Sequence, residues 1–211
     1  PKPGDVVGRV VHSDVSPAAA FASSNPTLGR IQRMVQWGLR TNLHGIPTEC
    51  NQRDERMGWL GDAHLAAESA ILNFDMAAFY TNFLRDIRDV QMSDGTLPDT
   101  VPFRAGRRPA DPAWGAAYPL LAWYMYLYYG DTQVLEQHYA GIKAWTDYLT
   151  TRAKDGIVGY YSYGDWISPG KTPGDLVSTF YYCYSVDIVT RAAMILGKTE
   201  DAVVYQKLGA S

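Results

Sequence analysis

The sequence is poor in the features that define several common classes of protein. Its 211 residues include only two cysteines, Cys50 and Cys183, which lie far apart and match neither a zinc-binding nor a redox spacing. The four histidines form no metal-ligand pattern. A net charge of −3 gives no basic surface for nucleic acid, and no apolar run reaches the roughly 18 residues of a membrane span. We therefore expect no cofactor, no metal, no nucleic-acid partner and no membrane span.

The sequence also lacks a recognisable signal peptide and an initiator methionine, since it begins at Pro1. We expect it to be a segment of a longer polypeptide, with the remainder of that polypeptide as a partner. These features leave the cellular compartment open.

Aromatic side chains, by contrast, are abundant. The sequence contains fifteen tyrosines and six tryptophans. Buried tyrosine and tryptophan need polar partners, and exposed ones stack on flat ligands such as sugar faces. The composition therefore favours a carbohydrate ligand.

Apolar residues recur at helical spacing through most of the chain. The predicted helices alternate with short turns, at 129–131 and 196–199, and with long loops, at 45–62, 92–113 and 154–176. Helices joined by short turns pack as antiparallel hairpins, and hairpins arranged in a ring place all long loops at one end. The pattern predicts an all-α chain that covers about half of an (α/α)6 toroid, with a short strand only near Val6–His12.

One predicted helix, Trp114–Tyr129, is apolar and aromatic almost all round. Such a helix is typical of a deeply buried position. An open half toroid would leave its inner helices uncovered, so we expect large exposed apolar patches on this segment if it is isolated.

The first long loop, within Ile46–His64, is unusually rich in charge. It holds two arginines, Trp59, two glycines and four carboxylates, namely Glu49, Asp54, Glu55 and Asp62. A solvated turn with surface ion pairs is one interpretation. A charged, glycine-broken loop between core helices is also where a rigid scaffold presents catalytic groups, and the tryptophan favours this second interpretation.

The residues from Thr48 to Asp62 read Thr-Glu-Cys-Asn-Gln-Arg-Asp-Glu-Arg-Met-Gly-Trp-Leu-Gly-Asp. This stretch resembles the Asp-Cys-Pro-Gln-Arg-Asp-Glu-Arg-x-Gly-Trp-x-Gly-Asp signature of the α-L-rhamnosidases of glycoside hydrolase family 78. Asp94–Pro98, Asp111–Gly115 and Gly164–Trp166 are similar to that family's next loops, in the same order. The resemblance implies an (α/α)6 catalytic barrel. Residues 21–211 would be its N-terminal half, and residues 1–20 a linker or the end of a preceding β domain.

The resemblance also implies an activity and a set of roles. The activity is the inverting hydrolysis of terminal α-L-rhamnosyl residues from glycosides or polysaccharides. Glu55 would be the general acid, while acidic and indole side chains bind the sugar hydroxyls and its methyl group: Glu49, Asp62, Trp59, Trp114 and Trp166.

Two residues depart from the signature. Glu49 stands where the family has Asp, and Asn51 where it has Pro. The family's general base lies on the second half of the barrel, so we expect it beyond Ser211.

A general acid must hold its proton near neutral pH, which requires a raised pKa. We expect neighbouring carboxylates and an indole wall to raise the pKa of Glu55. Arg53 and Arg56 would oppose this, so we expect both to turn away into structural ion pairs.

Two alternatives to the rhamnosidase assignment remain open. One is another six-hairpin glycosidase, similar to a glucoamylase or a trehalase, with a different sugar. The other is a non-catalytic carbohydrate-binding protein on a degenerate toroid, which the changes at Glu49 and Asn51 would suit.

Overall fold

The computed structural model describes residues 2–210. These residues form eight α-helices, a 3-10 turn at Pro3–Asp5 and two short strands. The strands, β1 (Ala153–Lys154) and β2 (Ile157–Val158), pair antiparallel. The helices in chain order are α1 (Pro26–Arg40), α2 (Leu60–Asn73), α3 (Ala77–Val90), α4 (Pro112–Gly115), α5 (Ala117–Tyr129), α6 (Thr132–Arg152), α7 (Gly174–Ile195) and α8 (Thr199–Gly209).

Several helix ends have local causes that are visible in the sequence. The Asn25 side chain accepts a hydrogen bond of 2.9 Å from the backbone N–H of Thr27, just ahead of Pro26 at the start of α1. The Asp131 side chain caps α6 in the same way, through the N–H of Val134 at 2.9 Å. Gly130 ends α5 with a left-handed φ of 66°.

The helices are arranged as an arc of antiparallel hairpins. Helix α5 contacts both α2 and α7, which gives an inner row, and α3, α6 and α8 pack behind that row while α1 packs beside α2. Short connections at 74–76, 130–131 and 196–198 alternate with long ones at 41–59, 91–111 and 153–173. The predicted all-α architecture is confirmed, and the long connections meet at one end of the arc.

The predicted strand at Val6–His12 is wrong. Among the described residues this stretch is extended but pairs with no strand, and its valines are between 63% and 79% exposed. β-Branched residues favour a strand only where a partner and a half-buried surface exist, and here neither is present. Farther along, Val15 is buried in the core, and the N–H of Ser13 donates to the carbonyl of Leu43 at 2.7 Å.

Strands β1 and β2 form a hairpin at the start of the region predicted as a long loop, 154–176. Asp155 and Gly156 form its turn, with φ values of 50° and 77°. Asp-Gly is the preferred pair for this two-residue turn, because both positions need positive φ.

The helix predicted at Trp114–Tyr129 is deeply buried over most of its length, as expected, but it is not continuous. The helix is interrupted at Ala116, between α4 and α5, and every residue of α5 up to Met125 except Trp123 is already buried. At its C-terminal end α5 exposes Leu127 and Tyr128. More exposed apolar surface lies on α1, which has no buried residue, and along α7 at Leu176 and Phe180, which are 60% and 59% exposed.

The sequence predicts two segments, a linker or preceding domain end at 1–20 and a half barrel at 21–211. Their outer limits, residues 1 and 211, lie outside the described residues. The boundary at residue 20 stays a prediction.

Candidate active site

The first long connection forms a closed loop that projects Glu55. The backbone N–H of Glu49 donates to the carbonyl of Met57 at 3.0 Å, which joins the two sides of the loop. Between them, Cys50 and Arg56 adopt left-handed φ values of 57° and 55°. These two reversals return the chain within seven residues and leave Glu55 at the exposed end of the loop.

Backbone hydrogen bonds join this loop to the second long connection. The N–H of Leu60 donates to the carbonyl of Asp99 at 2.9 Å, and the N–H of Val101 donates to the carbonyl of Gly58 at 2.8 Å. A Cβ atom on Gly58 would lie 2.1 Å from the carbonyl oxygen of Val101, so only glycine fits here. The start of α2, with Trp59 and Asp62, is thereby fixed against the second connection.

Asp111 joins the second connection to the third. Its side chain is fully buried, and Oδ2 accepts hydrogen bonds from the N–H groups of Ser162, Tyr163 and Gly164 at 2.6, 2.8 and 3.3 Å. Its Oδ1 accepts one from the N–H of Ala113 at 2.9 Å. One carboxylate therefore holds the loop that carries Trp166 against the helix that carries Trp114.

The first and third connections, together with the starts of α2 and α4, line an open cavity of about 100 Å³. Five of the six residues singled out from the sequence line it, together with Cys50, Arg53 and Tyr163; these five are Glu55, Trp59, Asp62, Trp114 and Trp166. A neighbouring cavity of about 260 Å³ shares three of these side chains and extends towards Tyr181 on α7.

Glu49 is the exception. It lines a different cavity, of about 300 Å³, between α1 and α2, and Asp62 is the only one of the six predicted residues that also lines that cavity. Burial and the nearby Asp62 carboxylate raise the pKa of Glu49. The structure thus places Glu49 beside the main cavity, with Asp62 between the two.

Tyr163 was missed by the sequence analysis, although it contacts all three tryptophans of the cavity. Its ring centroid lies 6.0 Å from that of Trp59, 4.6 Å from Trp114 and 5.5 Å from Trp166. Its hydroxyl donates to Asp99 at 3.3 Å. The signal was the tyrosine-rich run of the third connection, but composition alone did not show which tyrosine faces inward.

The three tryptophans differ in exposure. Trp114 is 8% exposed and packs so tightly on Gly61 that a Cβ there would lie 2.6 Å from the indole. Trp166 is 62% exposed at the cavity mouth. Trp59 is intermediate in exposure. The cavity therefore has a fixed wall at Trp114 and an open edge at Trp166.

The environment of Glu55 differs from the expected one. Oε1 accepts a hydrogen bond of 2.7 Å from the indole Nε1–H of Trp59, and Oε2 accepts one of 2.8 Å from Nε–H of Arg53. Led by the indole hydrogen bond, these contacts lower the pKa of Glu55, whereas we expected the indole wall to raise it. We expected Arg53 to turn away from Glu55 into another ion pair. This is wrong, because Arg53 pairs with Glu55 itself.

Arg56 and Asp62 follow the expectations more closely. Arg56 does turn away and pairs with the exposed Asp54 at 3.8 Å. Burial, together with the charge of Glu55, raises the pKa of Asp62. Asp62 therefore has the polar yet partly desolvated setting that suits hydrogen bonding to a ligand hydroxyl.

Behind the cavity, His64 links α2 to α4. Burial lowers its pKa to about 4, so its ring is neutral near pH 7 and its Nε2–H donates to the carbonyl of Ala113 at 2.8 Å. This contact holds Trp114 at the side of α2.

Within residues 2–210, no cluster of histidine, cysteine and acidic side chains is arranged to bind a metal ion. No helix in that range has both the length and the apolar character needed to cross a membrane.

This arc of helical hairpins, which brings two carboxylates and three indoles to one cavity, has the architecture of a six-hairpin glycosidase domain. The sequence matches the bacterial alpha-L-rhamnosidase 6 hairpin glycosidase domain over residues 16–211. The chain belongs to this family.

Known proteins agree with this assignment. An alpha-L-rhamnosidase from Alteromonas sp. (strain LOR) is 34% identical over 95% of this chain. The structure of alpha-L-rhamnosidase from Dictyoglumus thermophilum is 47% identical over 96% of the chain, with a TM-score of 0.92. That of Streptomyces avermitilis alpha-L-rhamnosidase complexed with L-rhamnose is 35% identical over 96%, with a TM-score of 0.90. The chain spans 23%, 24% and 20% of these three proteins, respectively.

Proposed function

We propose that this chain provides the acid-bearing half of the active site of an inverting α-L-rhamnosidase. The observation that carries the proposal is the convergence of Glu55, Asp62 and three tryptophans on one cavity, from loops far apart in the sequence. The rhamnosidase relatives, one of them complexed with L-rhamnose, support the choice of sugar.

The proposed chemistry uses Glu55 as the general acid. It gives its proton to the glycosidic oxygen as the bond from that oxygen to the anomeric carbon breaks. A water attacks the anomeric carbon from the opposite face and loses a proton to a second carboxylate, which inverting enzymes hold about 6.5–9.5 Å from the acid. We expect that second carboxylate beyond Ser211, in the remainder of the polypeptide.

The cavity walls suit a 6-deoxy sugar. Rhamnose has a methyl group where other hexoses have a hydroxymethyl group, so indole surface can cover it without leaving a hydroxyl unpaired. Trp59, Trp114 and Trp166 line the cavity and would supply that surface, and the Asp62 carboxylate would accept hydrogen bonds from ring hydroxyls. Glu49, one methylene longer than the family's Asp, would reach the sugar from the far side of Asp62.

The sugar specificity is tested with the complete natural polypeptide and a panel of nitrophenyl glycosides. We expect release of nitrophenol from the α-L-rhamnoside and at least tenfold slower release from α-glucosides and α-mannosides. Preference for another sugar would move the assignment to a different six-hairpin glycosidase. Binding of rhamnose with no turnover of any glycoside would indicate a non-catalytic relic.

A second test uses the Asp62→Asn variant of the complete natural polypeptide. Asp62 is proposed to hold hydroxyls in both the ground state and the transition state, so the change should weaken rhamnose binding as well as turnover. Loss of turnover with unchanged rhamnose affinity would contradict a binding role.

A further inference from the structure

In the described structure both carboxylate oxygens of Glu55 already have a donor. Trp59 Nε1–H donates to Oε1 and Arg53 Nε–H donates to Oε2. A general acid needs one oxygen that carries its proton and faces the leaving group. Both hydrogen bonds favour the charged carboxylate, so the loss of one of them would favour the protonated form that a general acid needs.

The Trp59 contact is the more fixed of the two. The indole lies against Tyr163, and a Cβ on Gly106 would come within 3.0 Å of its ring. The backbone of Trp59 bridges Thr100 and accepts the first hydrogen bond of α2, from Ala63 at 3.0 Å. Moving this indole would disturb two loops and a helix.

The Arg53 contact is the weaker restraint. The side chain of Arg53 is 61% exposed, against 19% for Glu55. Its only other described side-chain contact runs from Nη2 to Sγ of Cys50, at 2.9 Å. An exposed ion pair contributes little to stability, so an entering sugar can displace it.

We infer that Arg53 is a displaceable latch on Glu55, and that Oε2 is the oxygen that carries and donates the proton. In the empty site Arg53 holds Glu55 as a carboxylate, and the incoming glycoside displaces the guanidinium from Oε2. Oε2 then takes a proton from water and passes it to the glycosidic oxygen, while Trp59 keeps its hold on Oε1. Arg53 is thus a positioning residue for the proposed reaction, and the inference rests on the proposed function.

The pH dependence of Glu55 has other contributors, and they remain in place when Arg53 is changed. Glu49 and Cys50 lie on the same loop, Asp62 faces the cavity from α2, and the phenol of Tyr163 faces it from the third connection. Replacing Arg53 leaves these groups in place and removes two contacts, the one to Glu55 and the one to Sγ of Cys50. Arg56 on the same loop is similarly exposed and pairs with Asp54, so Arg56→Gln is a matched control.

The experiment compares the complete natural polypeptide with its Arg53→Gln and Arg56→Gln variants. The indole N–H resonance of Trp59 is titrated without substrate, because it reports the protonation of its acceptor Glu55. The rates kcat and kcat/KM on a rhamnoside are measured against pH, where kcat/KM reflects the free protein and kcat the complex.

In Arg53→Gln we expect the indole midpoint and the alkaline limb of kcat/KM to shift to higher pH, because the free carboxyl then keeps its proton longer. The alkaline limb of kcat should not move, because Arg53 has already left Oε2 in the complex. Arg56→Gln should leave all three unchanged.

An unmoved indole midpoint would overturn the latch, and a kcat limb that moves with the kcat/KM limb would overturn its displacement. If the wild-type polypeptide cleaves no rhamnoside, the proposed function fails, and the displacement step fails with it. The indole titration then still decides whether Arg53 acts on Glu55.

Discussion

Tyr163 joins the three tryptophans of the cavity, each of which comes from a different part of the chain. Its ring contacts all three indoles, and its hydroxyl and backbone are fixed by Asp99 and Asp111. Burial and the Asp99 carboxylate raise its pKa to about 12, so the phenol stays protonated and keeps donating to Asp99. A side chain placed in this way sets the spacing between the pocket walls.

Tyr163→Ala should therefore raise KM for a rhamnoside by about tenfold, since each aromatic pair contributes about 0.5–1.5 kcal/mol. Tyr163→Phe keeps the ring and should stay within about threefold of wild type, a difference of less than 1 kcal/mol. Tyr161→Ala removes a neighbouring ring that does not line this cavity, and serves as the control. Steady-state kinetics decide the matter, and equal KM values for the two Tyr163 variants would count against an ordering role of the ring.

A second prediction at the residue scale concerns His64 and the pH dependence of stability. Its pKa is about 4 in the folded protein and about 6.5 in the unfolded chain. Between these values the unfolded chain binds more protons, so His64 contributes stability that is complete above pH 6.5 and is lost as the pH falls towards 4. The expected loss is on the order of 3 kcal/mol.

Urea denaturation at several pH values measures this loss. His64→Gln should flatten the decline in the free energy of unfolding between pH 6.5 and 4, while His138, whose pKa is also about 4, remains as a shared background. Parallel curves for the two proteins would rule out His64 as the source.

At the scale of elements, the long connections hold each other in place through backbone contacts that leave no room for side chains. Gly58 is the tightest of these positions in the first connection, and Asp111 supplies the anchor between the second and the third. The site is therefore rigid where the loops meet, although all three loops lack regular helix.

Gly58→Ala should lower the free energy of unfolding by about 1–3 kcal/mol, because its Cβ would overlap the carbonyl of Val101. Gly38→Ala on α1 is the matched control, since nothing lies within 4 Å of its added Cβ. Alanine in a helix is favoured over glycine by about 1 kcal/mol, so this control should be neutral or stabilising. Similar denaturation midpoints for both variants would contradict the close approach at Gly58.

The elements also show what the sequence could and could not predict. Periodicity and turn residues located the helices, because those signals are local: α6 fills the interval between the predicted turn at 129–131 and the predicted loop at 154–176. The strand predicted at Val6–His12 is absent because strand propensity acts only when a partner strand is present. Beside the interruption at Ala116, a Cβ on Gly115 would lie 2.1 Å from the ring of Trp145, a close contact between distant residues that local sequence patterns do not report.

The same distinction applies to the site. The signature from Thr48 to Asp62 indicated Glu55, Trp59 and Asp62, and their gathering with Trp114 and Trp166 followed from the order of the loops. The hydrogen bond from Arg53 to Glu55 was not predictable, because it depends on the left-handed turns at Cys50 and Arg56.

At the scale of the whole molecule, the apolar surface of the chain is uneven. The inner row is well packed on its outer side, while α1 has no buried residue and α7 exposes Leu176 and Phe180. These surfaces agree with the expectation that an open arc of hairpins leaves apolar faces uncovered, although most of them lie on α1 and α7, and α5 contributes only its C-terminal end.

The whole arc brings Glu55, Asp62 and the indoles to one cavity, where we propose Glu55 as the general acid. The most direct test measures turnover by the complete natural polypeptide and by its Glu55→Gln variant, on a rhamnose-containing disaccharide and on nitrophenyl rhamnoside. Glutamine keeps the shape and a hydrogen bond to Trp59 but has no proton to donate to the leaving oxygen.

We predict that Glu55→Gln slows hydrolysis of the disaccharide by about 10²–10⁴-fold while rhamnose affinity stays within about threefold. The loss on nitrophenyl rhamnoside should be smaller, because nitrophenolate leaves with less help from an acid. A variant that keeps most of its activity on the disaccharide would contradict the assignment of Glu55 and transfer attention to Asp54 and Asp62.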